Sequence, residues 1–300
     1  MMKIIIKFFV GILVKTGILT PIRTARLKFF YKMRKWPDFE HPKDVNEKIN
    51  WMKFYGDTSQ WSLLADKYRV RAYVKSLGLE DTLIPLIGKW DKVEDIEWDK
   101  LPDQFVMKCN NGSGDVVVCK DKSSLDINKT KEHFRRHLKE KLSVLSGEPH
   151  YANIKPCIIA EELLDASTQP CNSSSLVDYK IWVFDGKPMF FWCAWNREQY
   201  HANVATYDLN WQFHPEWSIW TSHYIKPDKH LPKPTCLERM IEVASLLGRG
   251  QPVVRIDLYE VNGKVYFGEI TMTSQGGYMD FYTQEFLDKM GELTHLQIDN

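Results

Sequence analysis

The chain has 300 residues, 40 Lys and Arg against 39 Asp and Glu for a net charge of +1, and 44% hydrophobic and 26% charged side chains. That length suits one large globular domain or two lobes around a cleft. The balanced charge excludes a globally basic nucleic-acid binder, which would carry a pI above about 9, so any polyanion site has to be local.

Residues 1–35 differ from the rest. They hold Lys3, Lys7, Lys15, Arg23, Arg26, Lys28, Lys32, Arg34 and Lys35 with no acidic residue, interleaved with apolar runs. The apolar stretch between Lys7 and Lys15 is far short of the ~20 residues a spanning helix needs. Two readings stand: a basic apolar helix on an anionic membrane surface, or a helix packed on the protein with a solvated basic face. No small-residue cleavage site follows it, which disfavours a signal peptide.

From Asp44 to Leu77 the spacing predicts two helices, over VNEKINWMKFY and over WSLLADKYRVRAYVKSLGL, the second closed by Gly78. DTLIPLIGKW reads as short apolar segments punctuated by Pro and Gly, and EDIEWDKLPDQ as a polar connector. FVMKCNNGSGDVVVC reads as two strands around an Asn-Asn-Gly-Ser-Gly break, with Lys108 inside the first. A charged side chain there needs a partner, either a protein carboxylate or a bound anion. NKTKEHFRRHLKEKLSVL predicts a helix, and IKPCIIAEELL a buried strand ending in Glu161 and Glu162. VDYKIWVFDGKPMFFWCAW and RIDLYEVNGKVYFGEIT predict hairpins turning at Asp185-Gly186 and Asn262-Gly263, with the helix CLERMIEVASLLG between them. The fold class is α+β.

Six cysteines (Cys109, Cys119, Cys157, Cys171, Cys193, Cys236) form no C-x-x-C pair and no zinc-ligand spacing. They read as reduced, mostly buried thiols of a cytoplasmic protein.

The chemistry is carried by two segments. Strand alternation puts Arg255, Asp257 and Tyr259 on one face, and Phe267, Glu269 and Thr271 on one face of the returning strand. The hairpin can therefore bring Asp257 and Glu269 side by side. Two close carboxylates repel unless a cation lies between them, and an oxygen-only set suits Mg²⁺ completed by substrate phosphates. The Asn110–Gly114 loop can lay backbone N–H groups over a phosphate, with Lys108 as a point charge beside it. Read singly, each has a plainer explanation: solvated carboxylates on an exposed hairpin, and a tight turn.

Five fragments in order, NEKINWMKFY, ADKYRVRAYV, LPDQFVMKCNNGSG, VDYKIWVFDGKP and VRIDLYEVNGKVYFGEIT followed by Gly276-Gly277, resemble the TupA-like (teichuronic acid biosynthesis) branch of the ATP-grasp superfamily, enzymes of bacterial capsule, O-antigen and cell-wall polysaccharide pathways. The resemblance implies an ATP-grasp fold, with ATP between two α+β lobes and a Gly-rich lid. It implies a helical N-terminal region over 1–60 and an ATP-grasp domain over 61–300, divided into a nucleotide lobe at about 103–165 and a metal and acceptor lobe at about 176–300.

For the site, the resemblance implies Lys67 and Lys108 on the ATP phosphates and Gly112, Ser113 and Gly114 closing over them. It places Glu161, Glu162 and Leu163 at the adenine hinge and Asp178 and Lys180 toward the nucleotide. Asp257 and Glu269 would hold Mg²⁺, with Thr271 standing where many relatives have an asparagine ligand. Arg255, with Lys108, would stabilise the transferred phosphoryl group.

The implied reaction is ATP-dependent carboxylate–amine ligation through an acyl phosphate. The implied partners are a nucleotide- or lipid-linked uronic acid and an amino acid or amino sugar, with Arg197, His201, Gly276 and Gly277 toward the acceptor. Trp192, Trp195, Trp211, Trp217 and Trp220 are either core or a sugar platform. Two other classes stay open: a sugar-transfer enzyme, against which stands the lack of a D-x-D loop, and a non-catalytic scaffold, against which stand Lys108, Asp257 and Glu269. A nucleic-acid role is disfavoured.

Overall fold

The computed structural model describes residue 17 and residues 19–112, 114–140, 147–198 and 200–296. Residues 1–16 of the basic arm, Ser113, and the end of the helix expected to reach residue 145 lie outside the described residues. Helix α1 spans Pro21–Met33, α2 Val45–Tyr55, α3 Trp61–Ala65, α4 Val70–Ser76, α5 Ile127–His137, α6 Leu237–Leu247 and α7 Gln284–Glu292.

The second helix expected from the sequence is broken. The Asp66 carboxylate accepts from the backbone N–H groups of Tyr68 (2.9 Å) and Arg69 (3.0 Å), capping a new start at α4. The break frees the backbone N–H of Lys67 to bond Asn110 O at 3.0 Å, so Lys67 leaves the helical stack and faces the Asn110–Gly114 loop. Upstream, Asp44 caps α2 by accepting from Glu47 N, and the Glu47 carboxylate accepts from Lys43 N in return.

The strands form two sheets. The first has four, in the order β1 (Leu86–Trp90), β4 (Ile158–Glu161), β2 (Phe105–Cys109), β3 (Val117–Cys119), all antiparallel. The second has six, in the order β10 (Lys264–Thr271), β9 (Val253–Val261), β5 (Asp178–Phe184), β6 (Lys187–Trp195), β7 (Ala202–Asp208), β8 (Tyr224–Ile225), antiparallel except between β7 and β8. Each sheet has its own core. Phe105, Met107, Ile158 and Ala160 pack with Phe134 of α5. The larger core joins β5, β6, β9 and β10 to α2, α4, α6 and α7 through residues such as Ile49, Val74, Met240 and Leu287.

Both predicted hairpins turn where expected. Asp185-Gly186 (φ 47° and 75°) and Asn262-Gly263 (φ 53° and 66°) take the paired left-handed conformation of type I′ turns. A regular hairpin about Asn262-Gly263 would set Asp257 opposite Gly268 and turn Glu269 to the other face. Instead the register shifts between Phe267 and Glu269, and Glu269 lies opposite Asp257. Gly268 is the extra residue of this bulge. A Cβ there would lie 2.9 Å from Asp257 O and 3.1 Å from the Tyr259 ring, so the bulge admits only glycine without displacement.

Candidate functional site

The bulge completes one row across four strands. Glu269 of β10 lies opposite Asp257 of β9, Asp257 opposite Lys180 of β5, and Lys180 opposite Trp192 of β6. Arg255, two residues along β9, points back into the row. Its Nε and Nη2 donate to the two Asp257 oxygens at 2.7 and 2.8 Å, and Nη2 also reaches Glu269 Oε1 (3.3 Å) and Thr271 Oγ1 (3.1 Å). Lys180 Nζ donates to Asp257 Oδ2, the oxygen that Arg255 Nη2 also holds, and lies 3.4 Å from Asp178. Asp178 in turn pairs with Arg197.

The charges in this row reinforce one another. Burial works to raise the Asp257 pKa, but the Arg255 and Lys180 cations outweigh it and hold the carboxyl well below its usual range. Burial likewise opposes the Arg255 charge, and Asp257 and Glu269 overcome it. For Lys180 burial prevails over Asp257 and lowers its pKa, with Arg255 adding to the shift. Asp257 is thus fixed as an anion between two cations, while the Glu269 carboxylate is 37% exposed at the open end of the row.

Thr271 Oγ1 donates to Glu269 at 3.1 Å, and the Thr271 and Glu269 oxygens face the same side as Asp257. Among the described residues no three His, Cys, Asp or Glu side chains converge as a metal cluster. Two carboxylates and a hydroxyl on one face still fit Mg²⁺, an ion that takes few protein ligands and completes its shell with water and phosphate oxygens.

The small sheet approaches from the other side. Lys108 of β2 answers to a protein carboxylate: its Nζ lies 2.6 Å from Glu161 Oε2, and Arg71 of α4 holds Glu161 Oε1 at 2.9 Å. Glu162 is exposed, and its backbone N–H bonds Pro85 O at 3.0 Å; Leu163 is half-buried. Lys67 links the sheets, donating from Nζ to Gly112 O and standing 3.9 Å from Glu269 Oε2. Gly114 takes φ 81° in open space. The stem of this loop is tied down, with Asn110 Oδ1 accepting from Cys157 N (2.7 Å) and Asp115 accepting from Cys109 N.

Behind the row lies a cleft of about 340 Å³. Lys180, Arg255 and Trp192 form its inner wall, and Arg197 and His201 lie on its rim with Tyr224. Arg197 and His201 are therefore brought to the row; His201 Nε2 is 3.4 Å from Glu198. Of the five clustered tryptophans only Trp192 lines this cleft. Trp211 stacks on Tyr207 at 4.3 Å and Trp217 on Phe286 at 4.4 Å, both as packing.

Gly276 and Gly277 lie in a left-handed turn after β10 (φ 71° and 80°). A ladder on α2, at positions i, i+4 and i+7, clamps that turn. Asn46 bonds Met279 through both its N–H and its carbonyl, Asn50 Nδ2 donates to Gly277 O (2.9 Å), and Lys53 Nζ donates to Gly276 O (2.7 Å). A Cβ on Gly277 would meet Asn50 Nδ2 at 2.6 Å. The two glycines thus serve the turn, and the side chain that reaches the cleft is Gln275, which donates to the Tyr224 hydroxyl at 2.7 Å.

Sequence reasoning missed several members of this site: Arg71, Lys53, Asn50, Asn46 and Ser274, whose Oγ accepts from Arg255 at 2.7 Å. All but Arg71 are 3% exposed or less, and burial of a polar side chain, which only the folded chain shows, is what marks them. None of the six cysteines is a thiolate, since burial pushes every one of these thiols up.

No curated protein matches the chain. Among solved structures, a D-alanine–D-alanine ligase from Bacillus anthracis aligns at 16% identity and a TM-score of 0.47, over 77% of this chain and 66% of that one. The same enzyme complexed with ATP aligns at 16% and 0.39, over 70% and 54%. The Helicobacter pylori D-alanine–D-alanine ligase aligns at 14% and 0.41, over 84% and 68%. The chain spans between half and two thirds of the Bacillus anthracis structures. The model of the TupA-like ATP-grasp family matches residues 47–295, nearly all of the two-sheet body, and the chain belongs to that family and has its fold.

Proposed function

We propose that this protein is an ATP-dependent carboxylate–amine ligase of surface-polysaccharide biosynthesis. The observation that carries the reading is that one buried row, Glu269–Asp257–Lys180 with Arg255, faces Lys67 and the Gly-rich loop at its open end and the Arg197–His201 cleft behind it. A nucleotide at the open end and an acceptor in the cleft would meet at Arg255.

In the reaction a substrate carboxylate oxygen attacks the γ-phosphorus of ATP, and ADP leaves. The amine nitrogen then attacks the acyl phosphate carbon, and collapse of the tetrahedral intermediate forms the amide, releases inorganic phosphate and sheds the amine proton. Such chemistry asks the protein for positioning and charge neutralisation. Arg255, locked by Asp257 and Ser274, holds a fixed guanidinium at the point where oxyanion charge develops. Lys108 and Lys67 supply cations toward the phosphates, for which Lys108 must release Glu161. Mg²⁺, held by Asp257 and Glu269 with Thr271 beside them, would supply further neutralisation of phosphate charge. Residues 103–165 would form the nucleotide lobe and 176–300 the metal and acceptor lobe. A uronic acid carboxylate and an amino acid or amino sugar suit a cleft that carries Arg197, Lys180 and an aromatic wall.

The test is calorimetric titration of ATP, with and without Mg²⁺, on the wild type, Lys108→Ala and Glu269→Ala, followed by phosphate release with uronic acids and amines. Mg²⁺-dependent binding lost in both variants supports the reading. Binding indifferent to both changes overturns it in favour of a sugar-transfer enzyme.

A further inference from the structure

Helix α1 is apolar on two faces. Ala25 and Phe29 are fully buried, and Phe29 packs edge-on against Phe39 (5.7 Å) and Tyr278 (6.3 Å). That face alone anchors the helix. The opposite side nevertheless exposes Leu27 (53%), Phe30 (43%) and Tyr31 (68%), with Trp36 (62%) just beyond the helix end. Positions 27, 30, 31 and 34 share one helical surface. Phe30 and Trp36 stack at 4.8 Å, and the Arg34 guanidinium lies 5.2 Å over the Tyr31 ring. The side chains thus form one aromatic plate edged by a cation. Burial on folding does not account for such a patch, and patches of this kind mark interaction surfaces.

The charge distribution says what kind. Residues 1–35 carry nine Lys and Arg and no acid, whereas the remaining 265 residues carry 31 basic and 39 acidic side chains, a net of −8. The sequence thus joins a cationic N-terminal segment to an anionic remainder. Some of its cations are held by that body: Lys32 pairs with Asp280 (3.0 Å), Lys35 with Asp44 (2.7 Å) and Arg26 with Glu40 (3.3 Å). Arg34 adds positive charge beside the plate, and the sequence before the helix carries Lys3, Lys7 and Lys15. Exposed aromatics flanked by Lys and Arg are what settles at the headgroup level of a bilayer. A purely polar acidic partner would leave the aromatic plate uncovered.

We propose that the Leu27–Phe30–Tyr31–Trp36 face docks the protein on an anionic lipid bilayer. Docking there orients the site. A groove of about 470 Å³ runs between α1, through Leu27, Lys28 and Tyr31, and the turn at Gln275-Gly276. Gln275, through its bond to Tyr224, is the wall this groove shares with the candidate acceptor cleft. A protein resting on this face holds the mouth of the groove at the lipid surface, so an acceptor attached to lipid would reach the cleft without leaving the membrane.

The experiment is co-sedimentation of the full chain, without ATP, with vesicles of equal parts phosphatidylglycerol and phosphatidylcholine, or of phosphatidylcholine alone. The proposal expects partition at least about ten-fold stronger to the anionic vesicles, weakening as salt rises. The exposed-face variant Phe30→Ser/Tyr31→Ser/Trp36→Ser should lose about ten-fold of that partition while its melting temperature stays at the wild-type value. Brominated lipid should quench the tryptophan emission of the wild type more than that of Trp36→Phe. Equal binding to both vesicle types overturns the proposal, as does undiminished binding of the triple variant. A large fall in its melting temperature also overturns it, since it would mean that this face is covered by another part of the chain. The readout involves neither nucleotide nor turnover, so its failure is distinct from failure of the ligase reading.

Discussion

In the six-stranded sheet the charges form a buried lattice: Asp257 is 2% exposed and is held by Arg255, by Lys180 and by its place opposite Glu269. In the four-stranded sheet the comparable charges form a smaller cluster, in which Glu161 is shared between Lys108 and Arg71 and both cations keep 14–15% of their side-chain surface. The first sheet packs into the large core with α2, α3, α4, α6 and α7, and the second packs mainly against α5. The difference separates fixed from exchangeable charge. A lattice in which each ion has several buried partners is costly to open, whereas Glu161 keeps Arg71 as a partner if Lys108 moves away, as the proposed phosphate role of Lys108 requires.

The sharpest way to break this comparison is Asp257→Ala. It removes the shared carboxylate of two buried cations, leaving Arg255 only the Glu269 carboxylate and Lys180 only that of Asp178, and we expect a loss of about 3–5 kcal/mol of stability by urea unfolding. A loss below about 1 kcal/mol would mean that the lattice is no more fixed than the small-sheet cluster.

Second comes the α2 ladder that supports the large-sheet side of the site. Burial pushes Lys53 down to about 7, with Lys28 adding and Glu148 opposing. An unfolded lysine keeps its proton to about 10.4. Between those values the unfolded chain binds a proton that the native chain lacks, so stability should rise with pH from about 7 to 10, by roughly 4–5 kcal/mol in all, and level off below 7. Lys53→Met should flatten the profile over that window; an unchanged slope would remove Lys53 as its source.

Third, Gly268→Ala presses a methyl group on Asp257 O and should cost about 1–3 kcal/mol. Because the bulge sets Glu269 opposite Asp257, this variant should lose Mg²⁺-dependent ATP binding even where it remains folded. The smallest effect is expected for Lys108→Ala, with stability lowered by about 1 kcal/mol or less while ATP affinity falls. A stability loss matching that of Asp257→Ala would erase the distinction between the two sheets.

Much of this was legible in the chain. Period-two runs and the Asp-Gly and Asn-Gly pairs marked both hairpins, because type I′ turns ask for residues that accept positive φ. The α2 and α6 helices followed from apolar spacing. The helix break at Asp66 was not visible, because a side-chain cap competes with helical propensity and the outcome depends on whether Lys67 N finds Asn110 O. Gly268 inside a strand pattern was a bulge signal, yet only the paired register tells on which side the extra residue falls. Arg71, Asn46, Asn50 and Lys53 read as surface positions of helices until their partners, at separations of 90 to 233 residues, are in place.

The sequence by itself determined the element types, both turns, the basic arm and the residue types of the site, since these rest on local sterics, periodicity and charge. Tertiary structure alone decided that Glu269 meets Asp257, that Arg255 lies between them, that Lys108 rests on Glu161, and that α2 clamps the Gly276-Gly277 turn. Each of these is a contact between distant segments, fixed by register and burial rather than by neighbours in the chain.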